Sequence, residues 1–244
     1  MAEELEIGIG SGTPLGILYT GDLHGNVEKM KYIATLVKEY RAKRGEVLLL
    51  DSGDWSRGSP LCDQNHGMPM AEVMAYLRYD AVALGEADLS WGIRGLKKLL
   101  AAAGFPFLCA NISGELPPGI APFAMKTSGG LKVALLGVSP PVKLPERHMA
   151  MTSPEEALAG TLKKIAPEKP HLVILLSHLG LEKDRELAGA FPALDVIIGG
   201  HSHDRLDKPE RVGNVLITHG GAYGEFLGSL ELAVGTAVTL KGKE

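Results

Sequence analysis

The sequence reads ILYTGDLHGN from residue 17 to residue 26. Apolar residues at 16–20 predict a buried strand, and apolar residues recur at helical spacing over residues 26–43. Asp22 and His24 lie in the glycine-containing loop between these two elements. The stretch therefore predicts a strand, a sharp loop that carries two possible metal ligands, and a helix.

The alternation of strand and helix continues along the chain and predicts an α/β fold with some antiparallel strands. Further strands are predicted at residues 47–50, 81–84, 107–110, 132–138, 172–176, 196–198, 215–218 and 229–234. Further helices are predicted at residues 70–77, 93–103, 154–166 and 183–190. One domain suits a chain of 244 residues. We expect it to span residues 14–244, after an N-terminal tail at residues 1–13.

The composition of the chain argues against nucleic acid and membranes as binding partners. A formal net charge of −4 argues against a nucleic-acid-binding surface. No stretch reaches the roughly 18 consecutive apolar residues of a membrane helix.

The N-terminal residues are acidic, where a secretion signal would be basic, so the sequence as given predicts a cytoplasmic protein. The alternative is an exported protein from which a signal peptide has been removed. Cys62 and Cys109 are expected to be buried free thiols.

Possible metal ligands follow the ends of predicted strands in four separate segments. They are Asp22, His24, Asp54, His178, His201 and His203. In open α/β sheets the loops after the carboxyl ends of strands converge on one crevice. A single histidine in a protein is usually a hydrogen-bonded structural residue and not a metal ligand. Here that explanation would have to account for all six residues in four separate segments, so metal binding is favoured. Mixed imidazole and carboxylate ligands favour Mn, Fe, Zn, Co or Ni over Ca or Mg.

Seven blocks of the chain resemble, in the same order, those of the calcineurin-like metallophosphoesterases, and specifically the catalytic domain of 5'-nucleotidases. The blocks are ILYTGDLHGN (17–26), LLLDSGDWSRGSP (48–60), YDAVALGEADLSWG (79–92), FPFLCANI (105–112), VILLSHLG (173–180), DVIIGGHSH (195–203) and HGGAYGEFLGSLEL (219–232). The resemblance implies a four-layer α/β/β/α sandwich, in which two mixed β-sheets are flanked by helices, with a dinuclear metal site at one edge.

The resemblance also implies roles for individual residues and a cofactor of two divalent metal ions, with Mn, Zn or Fe as the expected ions. By motif, Asp22, His24 and His203 would hold one metal, His178 and His201 would hold the other, and Asp54 would bridge them. A hydroxide between the metals would be the nucleophile. His219, in the last block, would lie beside the site, in contact with the substrate or with a ligand.

The third block departs from the family pattern. The family reads GNHEFD, in which Asn binds the second metal, His stabilises the transition state or leaving group, and the final Asp orients that His. Here the same positions hold Glu86, Ala87 and Ser90. With Glu86 as a third carboxylate ligand, two divalent metals and one hydroxide would give a formally neutral site, whereas Asn would leave one positive charge. The alternative is that Glu86 turns outward and water takes its place.

These observations predict a metal-dependent hydrolase of the 5'-nucleotidase type that acts on a small phosphoester or related anionic ester. Asp54, Glu86 and His219 are the candidate catalytic residues, and catalysis is expected to be reduced or altered because the usual His is Ala87. One alternative is a metal-binding pseudoenzyme, or a subunit whose site a partner protein completes. Another is hydrolysis of thiosulfate esters, as in a related branch. Arg57 stays open between a contact with an anionic substrate and an ordinary surface cation.

The end of the sequence bears on the substrate. The nucleotidases continue into a C-terminal domain whose aromatic residues stack on the nucleobase, whereas this sequence ends in LELAVGTAVTLKGKE (230–244). We therefore expect no C-terminal nucleotide-binding domain and no specificity for nucleotides.

Overall fold

The computed structural model describes residues 12–146 and 149–235. Its strands in chain order are β1 (Thr13–Thr20), β2 (Val47–Asp51), β3 (Ala81–Ala83), β4 (Phe107–Leu108), β5 (Ile112–Ser113), β6 (Ile120–Ala121), β7 (Phe123–Ser128), β8 (Leu131–Val138), β9 (Ala150–Met151), β10 (Leu172–Ser177), β11 (Val196–Gly199), β12 (Glu210–Val212), β13 (Val215–His219) and β14 (Gly228–Val234). Its α-helices are α1 (Met30–Arg44), α2 (Pro60–Gln64), α3 (Met68–Leu77), α4 (Glu86–Leu89), α5 (Gly92–Ala103), α6 (Pro154–Ile165) and α7 (Leu181–Ala190).

Two six-stranded sheets form the centre of the fold. The first has the strand order β14-β1-β2-β3-β4-β6, and its neighbours pair in parallel except for β14. The second has the order β12-β13-β11-β10-β8-β7, with antiparallel strands only at its two edges. Both sheets are therefore mixed, as predicted.

Three hydrophobic cores separate four layers. Helices α1, α3 and α5 pack on the outer face of the first sheet, and α6 and α7 pack on the outer face of the second. Strand β10 shows why the sheets pack together. Leu172, Ile174 and Leu176 face the core between the sheets, while Val173 and Leu175 face the outer helices. Because both faces of the strand are buried, its sequence is a continuous apolar run. The expected α/β/β/α sandwich is confirmed.

Several local predictions are also confirmed. Helix α6 begins as expected, since the Ser153 hydroxyl accepts a hydrogen bond from the Glu156 amide and Pro154 occupies the first helical position. Helix α5 ends at Ala103, as the sequence predicted, and Gly104 follows it in a left-handed conformation. Cys62 and Cys109 are buried and free.

Other local predictions were incomplete. The chain after β1 forms a 3-10 turn at Val27–Lys29 before α1 begins. The Asn26 side chain does not cap that turn, and its amide nitrogen donates to the carbonyl oxygen of Tyr223, 3.0 Å away. The sequence also missed the short elements α2, α4, β5, β6, β9 and β12. Elements of two to five residues are too short to carry a periodic pattern of their own.

The ends of the predicted domain fall partly outside the described residues. Of the expected tail at 1–13, residues 1–11 are not among them, and Thr13 is already the first residue of β1, where it pairs with Val234. Residues 147–148 and 236–244 of the expected domain also lie outside them. Within the described ranges, no helix combines the length and the apolar composition needed to cross a bilayer.

The packing of the two sheets predicts opposite effects for two glycine substitutions. A Cβ atom at Gly137 on β8 would lie 2.4 Å from the carbonyl oxygen of Leu108, a backbone atom of the facing sheet. Gly160 in α6 has open space around it. We expect Gly137→Ala to lower the free energy of unfolding by roughly 1–3 kcal/mol through overpacking. Gly160→Ala should raise it by roughly 0.5–1 kcal/mol through helix propensity. Urea denaturation measures both, and equal effects would contradict this account of the interface.

Candidate metal centre

Seven polar side chains converge at one edge of the sandwich, where strands of both sheets end. From the first sheet, Asp22 and His24 follow β1, Asp54 follows β2 and Glu86 follows β3; from the second, His178 follows β10, and His201 and His203 follow β11. The structure thus brings together the six ligands predicted from strand ends, and Glu86 with them.

These side chains form three overlapping groups. Within each group, the possible ligand atoms lie within 4.8 Å of one another. The groups are Asp22, His24 and His203; Asp22, Asp54 and His178; and Glu86, His178 and His201. The middle group shares one residue with each outer group, and only Asp54 belongs to it alone. The arrangement is therefore a continuous cluster with two ends.

At the first end, two imidazoles face each other beside a carboxylate. The Nε2 atoms of His24 and His203 are 3.0 Å apart, and the Oδ1 atom of Asp22 lies 3.8 Å and 3.5 Å from them, respectively. Burial raises the pKa of Asp22 above its ordinary value, although the imidazoles of His178 and His203 oppose that rise. Such a set of nitrogen and oxygen donors is suited to a divalent transition metal.

At the second end, Glu86 faces inward. Its Oε1 atom lies 3.0 Å from His201 Nδ1 and its Oε2 atom 3.2 Å from His178 Nε2, and 35 % of the side chain is exposed. Burial alone would raise the pKa of Glu86, but the two imidazoles hold it below its usual range. The alternative in which Glu86 turns outward does not match this geometry.

Asp54 lies between the two ends of the cluster. Its Oδ1 atom accepts a hydrogen bond from the Ala87 amide, 2.8 Å away, and its Oδ2 atom lies 3.4 Å from His178 Nε2. The Oδ1 atom of Asp54 is therefore fixed by the backbone, while its Oδ2 atom faces His178, another possible metal ligand.

The donor atoms at this site fit a bound cation. His178 Nδ1 lies 2.8 Å from the carbonyl oxygen of Ser52, which can only accept, so this nitrogen carries the proton and Nε2 presents its lone pair to the cluster. In this tautomer, His178 Nε2 and Glu86 Oε2 are two buried acceptors that face each other at 3.2 Å, and neither has a hydrogen-bond partner among the described residues. Buried polar atoms left unpaired in this way cost free energy unless an ion satisfies them.

The backbone at the cluster is strained. Five of the cluster residues have positive φ angles, namely Asp22, His24, Asp54, His201 and His203. A positive φ angle at a residue other than glycine costs roughly 1–3 kcal/mol of folding free energy, and residues with such angles are concentrated at functional sites. Asp and His are among the side chains that tolerate it best.

Two buried carboxylates support the loops of the first sheet. Asp88 accepts hydrogen bonds from the amides of Asp54, Ser56 and Gly85, so it ties the loop after β2 to helix α4. Burial and the nearby Asp54 raise the pKa of Asp88 well above its usual range. Asp51 accepts a hydrogen bond from the Gly53 amide and so caps the turn that leads to Asp54. The sequence analysis gave Asp88 no role, although its position three residues after Gly85 is the spacing of a capping box.

His219 lies outside the cluster. It is 1 % exposed, and its Nε2 atom is 2.8 Å from Asp184 Oδ2. A Cβ atom at Gly199 would lie 2.0 Å from His219 Nε2 and 2.1 Å from Asp184 Oδ2, so the pair packs directly beneath the turn that leads to His201. The geometry places His219 under a ligand-bearing turn, away from the exposed side of the site.

Tyr223 was not identified from the sequence. Its ring centroid lies 5.2 Å from that of His24 and 5.3 Å from that of His203, and its amide donates to the carbonyl oxygen of Asp22, 2.7 Å away. Its φ angle is also positive. A tyrosine in a glycine-rich loop carries no local signal for this contact, which depends on the meeting of two distant segments.

The comparisons with known proteins agree with this geometry. The family model described as calcineurin-like phosphoesterase matches residues 15–205. A snake venom 5'-nucleotidase from Crotalus adamanteus is 31 % identical over 219 residues, which cover 79 % of this chain and 37 % of that protein. The crystal structure of a 5'-nucleotidase precursor from Thermus thermophilus aligns with a TM-score of 0.81 and 25 % identity, over 89 % of this chain and 51 % of that one.

A sulfate thiohydrolase, SoxB, from Thermus thermophilus aligns with a TM-score of 0.77 over 91 % of this chain and 57 % of that one. At 21 % identity this is a likeness of fold alone. The chain spans between about a third and somewhat over half of the length of these three proteins.

The family model covers most of the chain, and the TM-score of 0.81 shows that the sandwich of two mixed sheets has the same fold as that 5'-nucleotidase precursor. Proteins of this family use divalent metal ions. The chain belongs to the calcineurin-like phosphoesterases, within the 5'-nucleotidase family.

Proposed function

We propose that this chain is a dinuclear metal-dependent hydrolase that acts on small anionic phosphoesters with good leaving groups. The observation that carries the proposal is the cluster of three carboxylates and four imidazoles in overlapping groups. That number of donors exceeds the four of a tetrahedral site and suits two ions.

The three groups suggest how two ions would be held. Asp22, His24 and His203 would bind one, and Glu86, His178 and His201 would bind the other. Asp54 would bridge them, because it shares its group with one member of each end. Mn, Zn and Fe are the ions we propose, since imidazole and carboxylate ligands suit them.

When bound, the two ions would supply a water molecule of lowered pKa as nucleophile and neutralise negative charge on the phosphate. The chain itself contributes orientation. Ser52 fixes the imidazole of His178, the Ala87 amide fixes one oxygen of Asp54, and the pair of His219 and Asp184 supports the turn before His201. We therefore propose His219 as a positioning residue.

The third block sets the kind of leaving group. Ala87 has no side chain that can donate a proton, and Ser90 has no carboxylate to orient a neighbouring imidazole. In the proposed mechanism a leaving oxygen receives no proton from this position and departs as an anion. Aryl and other acidic leaving groups do so readily, whereas the alkoxide of a nucleoside does not.

A second candidate function follows from the same residues. The site would hold metals without useful turnover, as a pseudoenzyme or as a subunit that a partner protein completes. Ala87 favours this candidate, because a general acid contributes roughly 10²–10⁴-fold to rate. Thiosulfate-ester hydrolysis rests on the fold-level likeness alone. Assays of metal-loaded protein on aryl phosphates, nucleotides and sulfur esters distinguish the phosphoesterase, the thiosulfate-ester hydrolase and the pseudoenzyme. If the protein has its full metal content and turns over none of these substrates, it is a pseudoenzyme.

The first functional prediction concerns metal content. After reconstitution with Mn or Zn we expect about two ions per chain. Asp54→Asn should reduce occupancy at both positions, because the bridging carboxylate becomes a neutral amide. Asp204→Asn is the matched control, since this exposed residue directly follows His203 but belongs to none of the three groups. Elemental analysis measures the content, and well under one ion in the parent protein would refute a dinuclear site.

The second prediction concerns the leaving group. Metal-loaded protein should hydrolyse p-nitrophenyl phosphate at least roughly 10²-fold more efficiently than AMP, because only the alkoxide of AMP needs the absent acid. Steady-state kcat/KM values give the ratio, and Asp54→Asn measured alongside reveals any contaminating phosphatase. Efficient hydrolysis of AMP would contradict the argument.

The third prediction restores the family motif. Glu86→Asn, Ala87→His and Ser90→Asp together should raise phosphomonoesterase activity by more than the product of the three single effects. An imidazole needs its orienting carboxylate, and residues that act as a unit are non-additive. A triple variant with intact metal content and no gain in activity would show that the site is built for something other than phosphomonoester hydrolysis.

A further inference from the structure

Arg57 lies next to the part of the site that the altered third block forms. Its Nη1 atom donates a hydrogen bond to the Ser90 hydroxyl, 2.5 Å away, and that hydroxyl group donates to the carbonyl oxygen of Ala87. The guanidinium group is thus connected, through one side chain, to the position where the family pattern has its imidazole.

The guanidinium group is held in place on more than one side. Its central carbon lies 4.9 Å from the ring centroid of Trp91, and its Nε atom lies 3.8 Å from Asp63 Oδ1. The indole nitrogen of Trp91 in turn donates to the Ser56 hydroxyl group, 3.0 Å away. An arginine has five N–H donors, and these contacts use only some of them. The side chain is 43 % exposed, so solvent or a ligand has access to it.

The backbone on both sides of Arg57 is in contact with the cluster. Asp54, three residues earlier, is a member of the cluster, and a Cβ atom at Gly58 would lie 3.0 Å from the Cβ atom of His24. Ser90 is four residues after Glu86, and the Ser90 amide donates to the Glu86 carbonyl oxygen. One helical turn advances about 5.4 Å. Ser90, the hydrogen-bond partner of Arg57, therefore lies one helical turn from the proposed metal ligand Glu86.

We propose that Arg57 is a catalytic residue that stabilises the departing oxygen of the substrate, on the side of the site where Ala87 stands. This inference rests on the proposed hydrolase function. It also defines the substrate class as phosphomonoesters whose leaving group is a stabilised anion, such as an aryloxide.

The chemistry of guanidinium accounts for that class. Water oxygen forms the new bond to phosphorus, the ester P–O bond breaks, and the leaving oxygen keeps the electron pair of that bond. An arginine side chain stays protonated in proteins, so it gives charge-assisted hydrogen bonds but no proton. The departing anion takes its proton from solvent, and the products are an alcohol or phenol and inorganic phosphate. An imidazolium could have protonated a poorer leaving group.

The competing explanation is that Arg57 only tethers helix α4 through Ser90. The two explanations differ in how the effect of a substitution depends on the substrate. A tether that is lost displaces the site for every substrate alike. A lost cation matters more when more negative charge develops on the leaving oxygen.

The test compares Arg57→Gln and Arg57→Lys with the parent on Mn-loaded protein, using aryl phosphates from p-nitrophenyl to phenyl. For Arg57→Gln we expect a loss in kcat/KM of roughly 10²–10³-fold on phenyl phosphate and about 10-fold or less on p-nitrophenyl phosphate. Arg57→Lys should recover part of the loss, because the charge remains while the fork geometry does not. Arg94→Gln, on the exposed side of α5, is the control and should match the parent on every substrate.

The outcomes separate this inference from the hydrolase proposal. Equal losses across the series, or unaltered activity in Arg57→Gln with metal content and melting temperature intact, would overturn the role of Arg57. If the parent hydrolyses none of the esters, the hydrolase proposal fails. Calorimetric titration with inorganic phosphate then tests whether Arg57 contacts an anion bound at the site. Parent and Arg57→Gln binding phosphate equally would then refute it, whereas weakening by roughly 10-fold would support an anion contact.

Discussion

Ser52 lies where the two sheets meet, and it joins them through its hydroxyl group and its carbonyl oxygen. Its hydroxyl group donates to the carbonyl oxygen of Gly199, 3.0 Å away, and its carbonyl oxygen accepts from His178. These bonds connect the loop after β2 to the ends of β10 and β11. Because ligands come from both sheets, the cluster requires the carboxyl ends of the two sheets to meet at this edge. The cores between and outside the sheets fix that relation, since close-packed interiors deform little.

The cluster is costly for the folded protein in the absence of a bound ion. Its carboxylates are wholly or partly buried, several of its residues have positive φ angles, and the two facing acceptor atoms, His178 Nε2 and Glu86 Oε2, have no hydrogen-bond partners among the described residues. The surrounding structure offsets part of this cost through buried hydrogen bonds, such as those that Asp88 accepts from Asp54 and Ser56. A bound cation would supply the missing interactions, so metal binding and stability are coupled at this site.

The altered third block is best understood together with Arg57. In the proposed correspondence with the family motif, Glu86 stands where the pattern has a neutral amide, Ala87 where it has an imidazole, and Ser90 where it has the carboxylate that orients that imidazole. The hydrogen bond from Arg57 to Ser90 places a permanent cation beside these changes. We propose that the result is a site with electrostatic stabilisation but without a proton donor at this position, which would favour esters whose leaving groups need no protonation.

The sequence by itself determined the alternation of strands and helices, the order of the motifs and the six ligands that follow strand ends, because each of these is a local pattern. It also identified Glu86 and Arg57 as open questions. Only the tertiary structure decided that Glu86 faces His178 and His201, that His219 lies buried against Asp184, and that Tyr223 packs beside His24. These contacts join segments from 35 to nearly 200 residues apart. Local propensity carries no information about such pairs, since they depend on how two sheets and their loops pack in space.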